Sequence, residues 1–384
     1  MDHRELVRVL QEHFGGSQIS GRDVITFPSG PHYRLRLRVE EGRIRSVLTG
    51  PDFDPAEFEQ LQQLVRTRLI DSPGETVARV VLFSSLPVSG WLSMPEVGLQ
   101  ICPVQGSAPR PPVIYADNPF ILEFRLSRGG DNFITNQRCT RLAIEWGRVL
   151  NAVLRTSIKV VTPRQSSHWG YDSDGDVSKW LPELYFLPDF QQYNDDFSSP
   201  DGAPLTLVSH DEYYKSDVRP GADRDELILP DSLPSLLAAF IRLAAPQRRQ
   251  FLRAATWIDT AARMWDINTS SWFTSLVSAI ETFVEADQQD RCPKCESVLG
   301  VTRAFIELVE RYSPDSDARM RRVIYNYRSK LSHGELLLQI DEAPWAFGAG
   351  FSVQEHEASD HLVRVVRDVM VNWLLRFQAI DQRN

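Results

Sequence analysis

The chain has 384 residues, a formal net charge of −9 and a pI near 5.5, with 42% apolar and 24% charged residues. This is the make-up of a soluble globular protein with room for two domains of roughly 100–200 residues each, and it excludes a protein that coats nucleic acid through bulk positive charge. Any nucleic-acid contact is therefore local. The opening MDHRELVRVLQEHF is charged from its second residue, and no segment approaches the ~18 apolar residues of a membrane span; the expectation is a cytoplasmic protein with no membrane contact. Cys102, Cys139, Cys292 and Cys295 are too few and too scattered for a disulfide framework and read as reduced thiols.

In chain order, an amphipathic helix is expected from Glu5 to His13. In HYRLRLRVEEGRIRSVLTG, period-two alternation on both sides of Glu40-Glu41-Gly42 predicts a hairpin. DPAEFEQLQQLVRTRLI predicts a helix capped by Asp54. Strands follow at VARVVLF, GLQICPV and FILEFRLS, then a helix in TRLAIEWGRVLNAVL and a strand at SIKVV. Gln191 to Pro230 is polar and rich in Pro and Gly, and reads as exposed loop or linker.

Beyond it the pattern is helical throughout, from SLPSLLAAFIRLAAP to the final DHLVRVVRDVMVNWLLRFQAI. There Leu362, Val365, Val366, Val369, Trp373 and Phe377 form the stripe of a helix packed on a core. The expected fold class is α+β, with a mixed α/β domain over residues 1–225 and an all-helical bundle over 226–384.

An arginine followed five residues later by histidine occurs twice, as Arg8 and His13 and as Arg328 and His333. Spacing alone does not separate them; surroundings do. Glu12 stands beside the first histidine, whereas Arg319 to Lys330 holds four arginines, one lysine and no acid, a patch suited to a phosphodiester.

The stretch YRSKLSHGE closing a helix, preceded by LVSAIETFVEA and GVTRAFIELVERY and followed by a long terminal helix, resembles the HEPN superfamily, specifically its ApeA-like branch. The resemblance runs from about Ser271 to Ile380. It implies a helical bundle that dimerises and a metal-independent RNA endonuclease motif, common in phage defence and toxin systems. By the same resemblance, Arg328 and His333 are the catalytic pair, Ser329 is the polar residue after the arginine, and Glu281 is the acidic residue facing the motif. Glu335 stands where a nucleotidylation-regulated branch has tyrosine, so that mode of silencing is not carried over.

The chemistry fits these residue types. Histidine moves protons near neutral pH, and arginine offers a planar fork for two phosphate oxygens of a crowded anionic transition state. Arg321, Arg322 and Lys330 are the expected RNA-binding cations. No cofactor or metal is needed. On a helix, residues five apart point about 140° from one another, so either the helix ends near His333, as Gly334 suggests, or a second subunit completes the site. The expected partners are RNA, a second copy through the helical domain, and a trigger ligand or protein at the N-terminal domain. The competing reading is a noncatalytic protein whose helical half dimerises or binds RNA or nucleotide.

Other motifs are weaker. Cys292 and Cys295 in RCPKCE supply half of a tetrahedral zinc site. Asp172, Asp174, Asp176 and Glu183 imitate calcium-loop spacing, but Gly175 is out of place for the turn. SSHWG around His168 lacks a nucleophile elbow and reads as a loop.

Overall fold

Apolar residues three and four apart make α1 (His3–Phe14) amphipathic, and Leu6, Val9 and Leu10 go into the interior. The computed structural model to which this helix belongs describes residues 3–20, 23–29, 32–40, 43–51, 53–71, 74–104, 118–160, 169–171, 177–179, 191–199, 201–216, 226–265, 267–284, 300–343 and 352–381. Strands dominate the N-terminal region and helices the C-terminal region, which makes the fold α+β. Cys292 and Cys295, His168, and Asp172, Asp174, Asp176 and Glu183 lie outside the described residues.

The chain forms two compact units. The first comprises Met1–Ala78, Phe124–Leu142 and Gln192–Phe197. Its antiparallel sheet runs in the order β1 (Gln18–Ser20), β2 (Val24–Ser29), β3 (His32–Glu40), β4 (Arg43–Thr49), so the expected hairpin is present as β3 and β4. One face of this sheet carries Phe27, Leu35 and Leu37, which pack with α1, with Leu61 of α2 (Pro55–Val65), and with Leu69 and Ile134. Asp54 caps α2, its carboxylate accepting the Ala56 N–H at 2.9 Å. Helix α2 then widens into a π-turn over Arg66–Ile70.

Beneath this core Glu5 is buried. Arg138 donates to both of its oxygens, at 3.3 and 3.0 Å, and also to the carbonyls of Ser127, Arg128 and Leu69. One guanidinium thus satisfies three carbonyls from two backbone segments and a buried carboxylate.

The second unit comprises Arg79–Glu123, Ala143–Gln191 and Ser198–Asn384. It holds most of the sheet formed by β5 (Glu75–Ser84), β6 (Leu92–Met94), β7 (Leu99–Pro103), β8 (Asn118–Ser127) and β9 (Ile158–Lys159). Glu123, fully buried in β8, accepts from Arg79 Nε at 2.9 Å, from Gln100 Nε2 at 3.2 Å, and from the backbone N–H and hydroxyl of Ser198. Cys102 lies nearby. Burial, reinforced by the Glu123 charge, pushes its thiol up to about 11, and burial likewise raises Cys139, so both are inert free thiols at neutral pH.

Helix α3 (Asn132–Val153) begins eight residues before the expected segment. Helices α4 (His210–Lys215), α5 (Leu233–Arg242), α6 (Ala245–Met264), α7 (Thr269–Glu281), α8 (Val301–Tyr312), α9 (Ala318–Ser332), α10 (Gln339–Glu342) and α11 (Val353–Asp381) follow. The expected stripe of α11 is buried from Leu362 to Trp373, and Phe377 is half-buried. Trp373 meets the rings of Phe251, Phe283 and Phe377 at centroid distances of 5.9, 4.8 and 4.8 Å.

Two expectations need correction. Residues 225/226 do not separate compact units, because the C-terminal half of α3 belongs with the helices: Asn151 O accepts from Arg367 at 2.7 Å, and Glu145 accepts from Arg248 Nε at 2.8 Å. Composition marks where helices take over; contacts decide what is compact. Nor is Gln191–Pro230 only a linker, since Leu205, Tyr213, Leu227 and Leu229 within it are buried and Ser198 is bonded to Glu123. Scattered apolar residues without a period gave no signal there.

Arg138→Met takes from buried Glu5 its hydrogen-bonded guanidinium and leaves the longer ion pair to Arg141, at 3.6 Å. Native-state hydrogen exchange should show the opening free energy of β2 and β3 falling by about 3–5 kcal/mol, with the Glu5→Met/Arg138→Met double variant losing less than the two single changes combined.

Candidate functional site

Asp317 starts α9. Its carboxylate accepts the Arg319 N–H at 2.6 Å and the Met320 N–H at 3.1 Å, and these backbone bonds, Met320 first, hold its pKa below the usual value. The helix ends where the sequence places it. Gly334 takes φ +70°, its N–H donates to Leu331 O at 3.2 Å, and the Glu335 N–H donates to Lys330 O at 2.9 Å. These two bonds are the Schellman pair, and they fix His333 as the C-cap at φ −91°, ψ 0°.

The periodicity of α9 sorts its polar residues onto two faces. Arg319, Arg322, Asn326 and Lys330 recur at helical spacing, all exposed, and exposed His333 continues their line. Ile324 and Tyr325 are buried on the other side, and Arg328 points with them. Tyr327 packs its ring 6.0 Å from Phe273 of α7; burial first, and the charge of Glu355 second, keep its phenol protonated.

Arg328 meets Glu281 at the C-terminal end of α7. Nη2 donates to Oε2 at 2.9 Å, with side chains 28% and 19% exposed. The match is incomplete. Arg328 Nε and Glu281 Oε1 are both buried and have no hydrogen-bond partner among the described residues. A guanidinium and a carboxylate can share two parallel hydrogen bonds, and here they share one, so one donor and one acceptor remain available to a third group.

Of the expected site residues, the structure brings Arg328 and Glu281 together. Ser329 is half-buried beside them in the chain, and Arg322, Lys330 and His333 share the exposed stripe. No hydrogen bond joins Arg328 to His333 among the described residues; the two lie on different faces, as their five-residue separation requires. Arg321 is not on the exposed stripe. It is buried and donates to Ser316 Oγ at 2.9 Å, Pro314 O at 3.0 Å and Ser316 O at 2.8 Å, shaping the turn before α9. That turn lines a cavity of about 370 Å³ with His210, His361 and Asp368.

The first copy of the motif is different. Arg8 is paired to Glu12 at 2.9 Å and sits 4.8 Å from the centre of the Phe133 ring.

Sequence reasoning missed Asp341. Its carboxylate accepts the Thr269 N–H at 3.0 Å, and the Ser270 N–H and hydroxyl at 2.6 Å each, capping α7 from a segment downstream of the motif. Leu338 N–H donates to Ser270 Oγ at 2.9 Å in the same knot. More than sixty positions separate the partners, so no local pattern announces the contact. Asn326, the neutral member of the exposed stripe, was also missed, although the helical period of the three cations contained the signal. Among the described residues, no group of three or more His, Cys, Asp or Glu side chains is placed to hold a metal ion, and no helix is long and apolar enough to cross a membrane.

Gly334→Ala forces an L side chain into the left-handed region and should cost about 1–2 kcal/mol in chemical denaturation. Gly334→Asn should cost less, and exchange of the Glu335 amide should quicken more in the alanine variant than in the asparagine one. No protein-family model, no curated protein and no solved structure matches this chain.

Proposed function

We propose that this chain is a metal-independent RNA endonuclease of the HEPN type, an effector of phage defence or of a toxin system in the cytoplasm, acting as a homodimer through its helical region. The observation that carries the reading is the half-satisfied pair of Arg328 and Glu281, set behind a cationic helix face that ends in a fixed, exposed histidine. The setting in defence rests on the resemblance alone.

The chemistry uses the chain's own groups. Arg322 and Lys330 draw the RNA backbone to α9. The 2′-oxygen of the substrate attacks phosphorus, forming the new 2′-O–P bond as the bond to the 5′-oxygen breaks. His333 either takes the 2′-hydroxyl proton or supplies the proton that the departing 5′-oxygen gains, and solvent water carries the other. Arg328 turns Nε and its remaining N–H groups to the non-bridging oxygens, and Glu281 holds the guanidinium in place through Oε2. Ser329 follows Arg328 as an orienting group. The products are a 2′,3′-cyclic phosphate and a 5′-hydroxyl.

Within one protomer Arg328 and His333 face apart, so the working pair takes Arg328 from one subunit and His333 from the other across a two-fold axis. That same separation supports the noncatalytic reading, in which α9 binds RNA or a partner helix and Arg328 is structural.

Three variants separate the readings. His333→Ala should abolish cleavage of total RNA with folding unchanged, and Arg328→Lys should lower the rate by at least about tenfold, because charge is kept and the fork is lost. Cleavage by the wild type should persist in EDTA. Mixed dimers of Arg328→Ala and His333→Ala protomers should regain one working site. Cleavage by the wild type no greater than the background left by His333→Ala, at matched stability, would leave the noncatalytic reading standing.

A further inference from the structure

The first unit carries a second cationic surface, unconnected with α9 in sequence. Alternation along β3 sends Leu35 and Leu37 into the core and leaves Arg36 and Arg38 exposed on the opposite face. Two irregularities in register add to that face. The shift between Phe27 and Pro28 pairs Tyr33 with Pro28 and Leu35 with Phe27, so Arg34 is the extra residue and Tyr33 turns to the side of Arg36. The Arg36 guanidinium lies 3.9 Å from the centre of the Tyr33 ring. The shift between Arg38 and Val39 makes Arg45 the extra residue of β4, and it joins Arg38 around Glu40, at 3.4 and 2.9 Å respectively.

The result is an open sheet face bearing Arg36, Arg38, Arg43 and Arg45, with Arg38 62% and Arg45 52% exposed. Among the described residues, the carboxylate paired with these arginines is Glu40, while Arg34 is taken by Glu57 of α2 at 2.7 Å. The face is also not purely ionic. Leu48, directly across from Arg36 on β4, is 53% exposed beside the arginine-on-tyrosine stack.

In a chain of net charge −9, an arginine row of this kind is a local exception. We infer that the open face of β2, β3 and β4 binds single-stranded nucleic acid. Arg36 and Arg38, two residues apart on a strand and thus about 6.8 Å along it, match the spacing of successive phosphates in an extended strand. Arg45 takes a further phosphate. The guanidinium plane stacked on Tyr33 and the apolar side chain of Leu48 receive bases, which need a flat or apolar surface as well as charge. An acidic peptide or an anionic lipid surface would use the charges and leave that platform idle. This surface stands on the first unit alone and does not depend on the nuclease reading.

The test uses the full chain and a labelled 2′-O-methyl oligouridine of roughly 20 nucleotides, which lacks the internal nucleophile and so reads binding without cleavage. Fluorescence anisotropy of the Arg36→Gln/Arg38→Gln/Arg45→Gln variant should show binding at least about tenfold weaker. Its slope of log affinity against log salt should flatten by about 2, from ~0.7 per phosphate contact. Tyr33→Ala should weaken the oligonucleotide about fivefold or more while leaving inorganic polyphosphate bound as before. Wild-type affinity in the triple variant, with circular dichroism unchanged, overturns the inference. So does a loss that follows Arg322→Gln/Lys330→Gln alone, a Tyr33→Ala variant with unaltered oligonucleotide binding, or phosphatidylserine vesicles that need the three arginines when the oligonucleotide does not. None of these four outcomes touches the case for cleavage at His333.

Discussion

A carboxylate and a guanidinium held below the surface are stable only to the extent that their donors and acceptors are matched, and at Glu281 and Arg328 the match stops halfway. One hydrogen bond of 2.9 Å joins them, leaving a buried N–H and a buried carboxylate oxygen. At three other buried charges the match goes further. Glu123 collects four donors, Arg138 feeds a carboxylate and three carbonyls, and Arg321 saturates a turn. A leftover buried polar atom costs about 1–3 kcal/mol; Arg148 Nε and His361 Nε2 are also left without a partner among the described residues, but at Glu281 and Arg328 both members of one ion pair are incomplete.

The arrangement of the helical region follows from where that pair is anchored. Helix α7 holds Arg328 at its C-terminal end through Glu281, and at its N-terminal end it is capped by Asp341, from the segment that follows the motif. The negative side chain at the helix start also complements the dipole there. Both flanks of His333 are thus tied to one helix, α9 before it and residues 338–342 after it, and the Schellman turn at Gly334 fixes the cap between them. A histidine on an exposed helix end would ordinarily sample many positions. Here its backbone is constrained from both sides while its ring stays in solvent, a combination suited to proton transfer with a ligand that arrives from outside.

Much of this was legible in the sequence, and the illegible parts share a cause. Periodicity located α11 and its buried stripe, Asp54 announced a cap, and Gly334 announced the end of α9, because each is a local rule whose evidence lies within a few residues. The five-residue spacing of Arg328 and His333 already implied two faces. Arg321 was misread because a helical arginine one step from the exposed stripe looks basic in sequence, whereas its guanidinium folds back on Ser316 and Pro314. Asp341 and the true partition of the chain were invisible for the same reason: contacts across more than seventy positions leave no periodic trace. The bulges that turn Tyr33 and Arg45 outward belong to this class as well, since strict alternation assigns them to the opposite face.

Charge gives the last step. A chain with 51 acidic and 42 basic residues repels polyanions on average, so a surface that attracts one must gather arginines where carboxylates are scarce. The two places where this happens use different geometry. On α9 the cations sit one or two helical turns apart and the line ends at a histidine ring; on the sheet they sit on alternate strand positions beside an aromatic plane. Lysine would serve in either place as a point charge. The sheet row is all arginine, and α9 keeps arginine at position 328, where the planar fork can stack on a base or grip two phosphate oxygens. Under this reading, holding and cutting are separable properties of one acidic chain, each written in its own secondary structure.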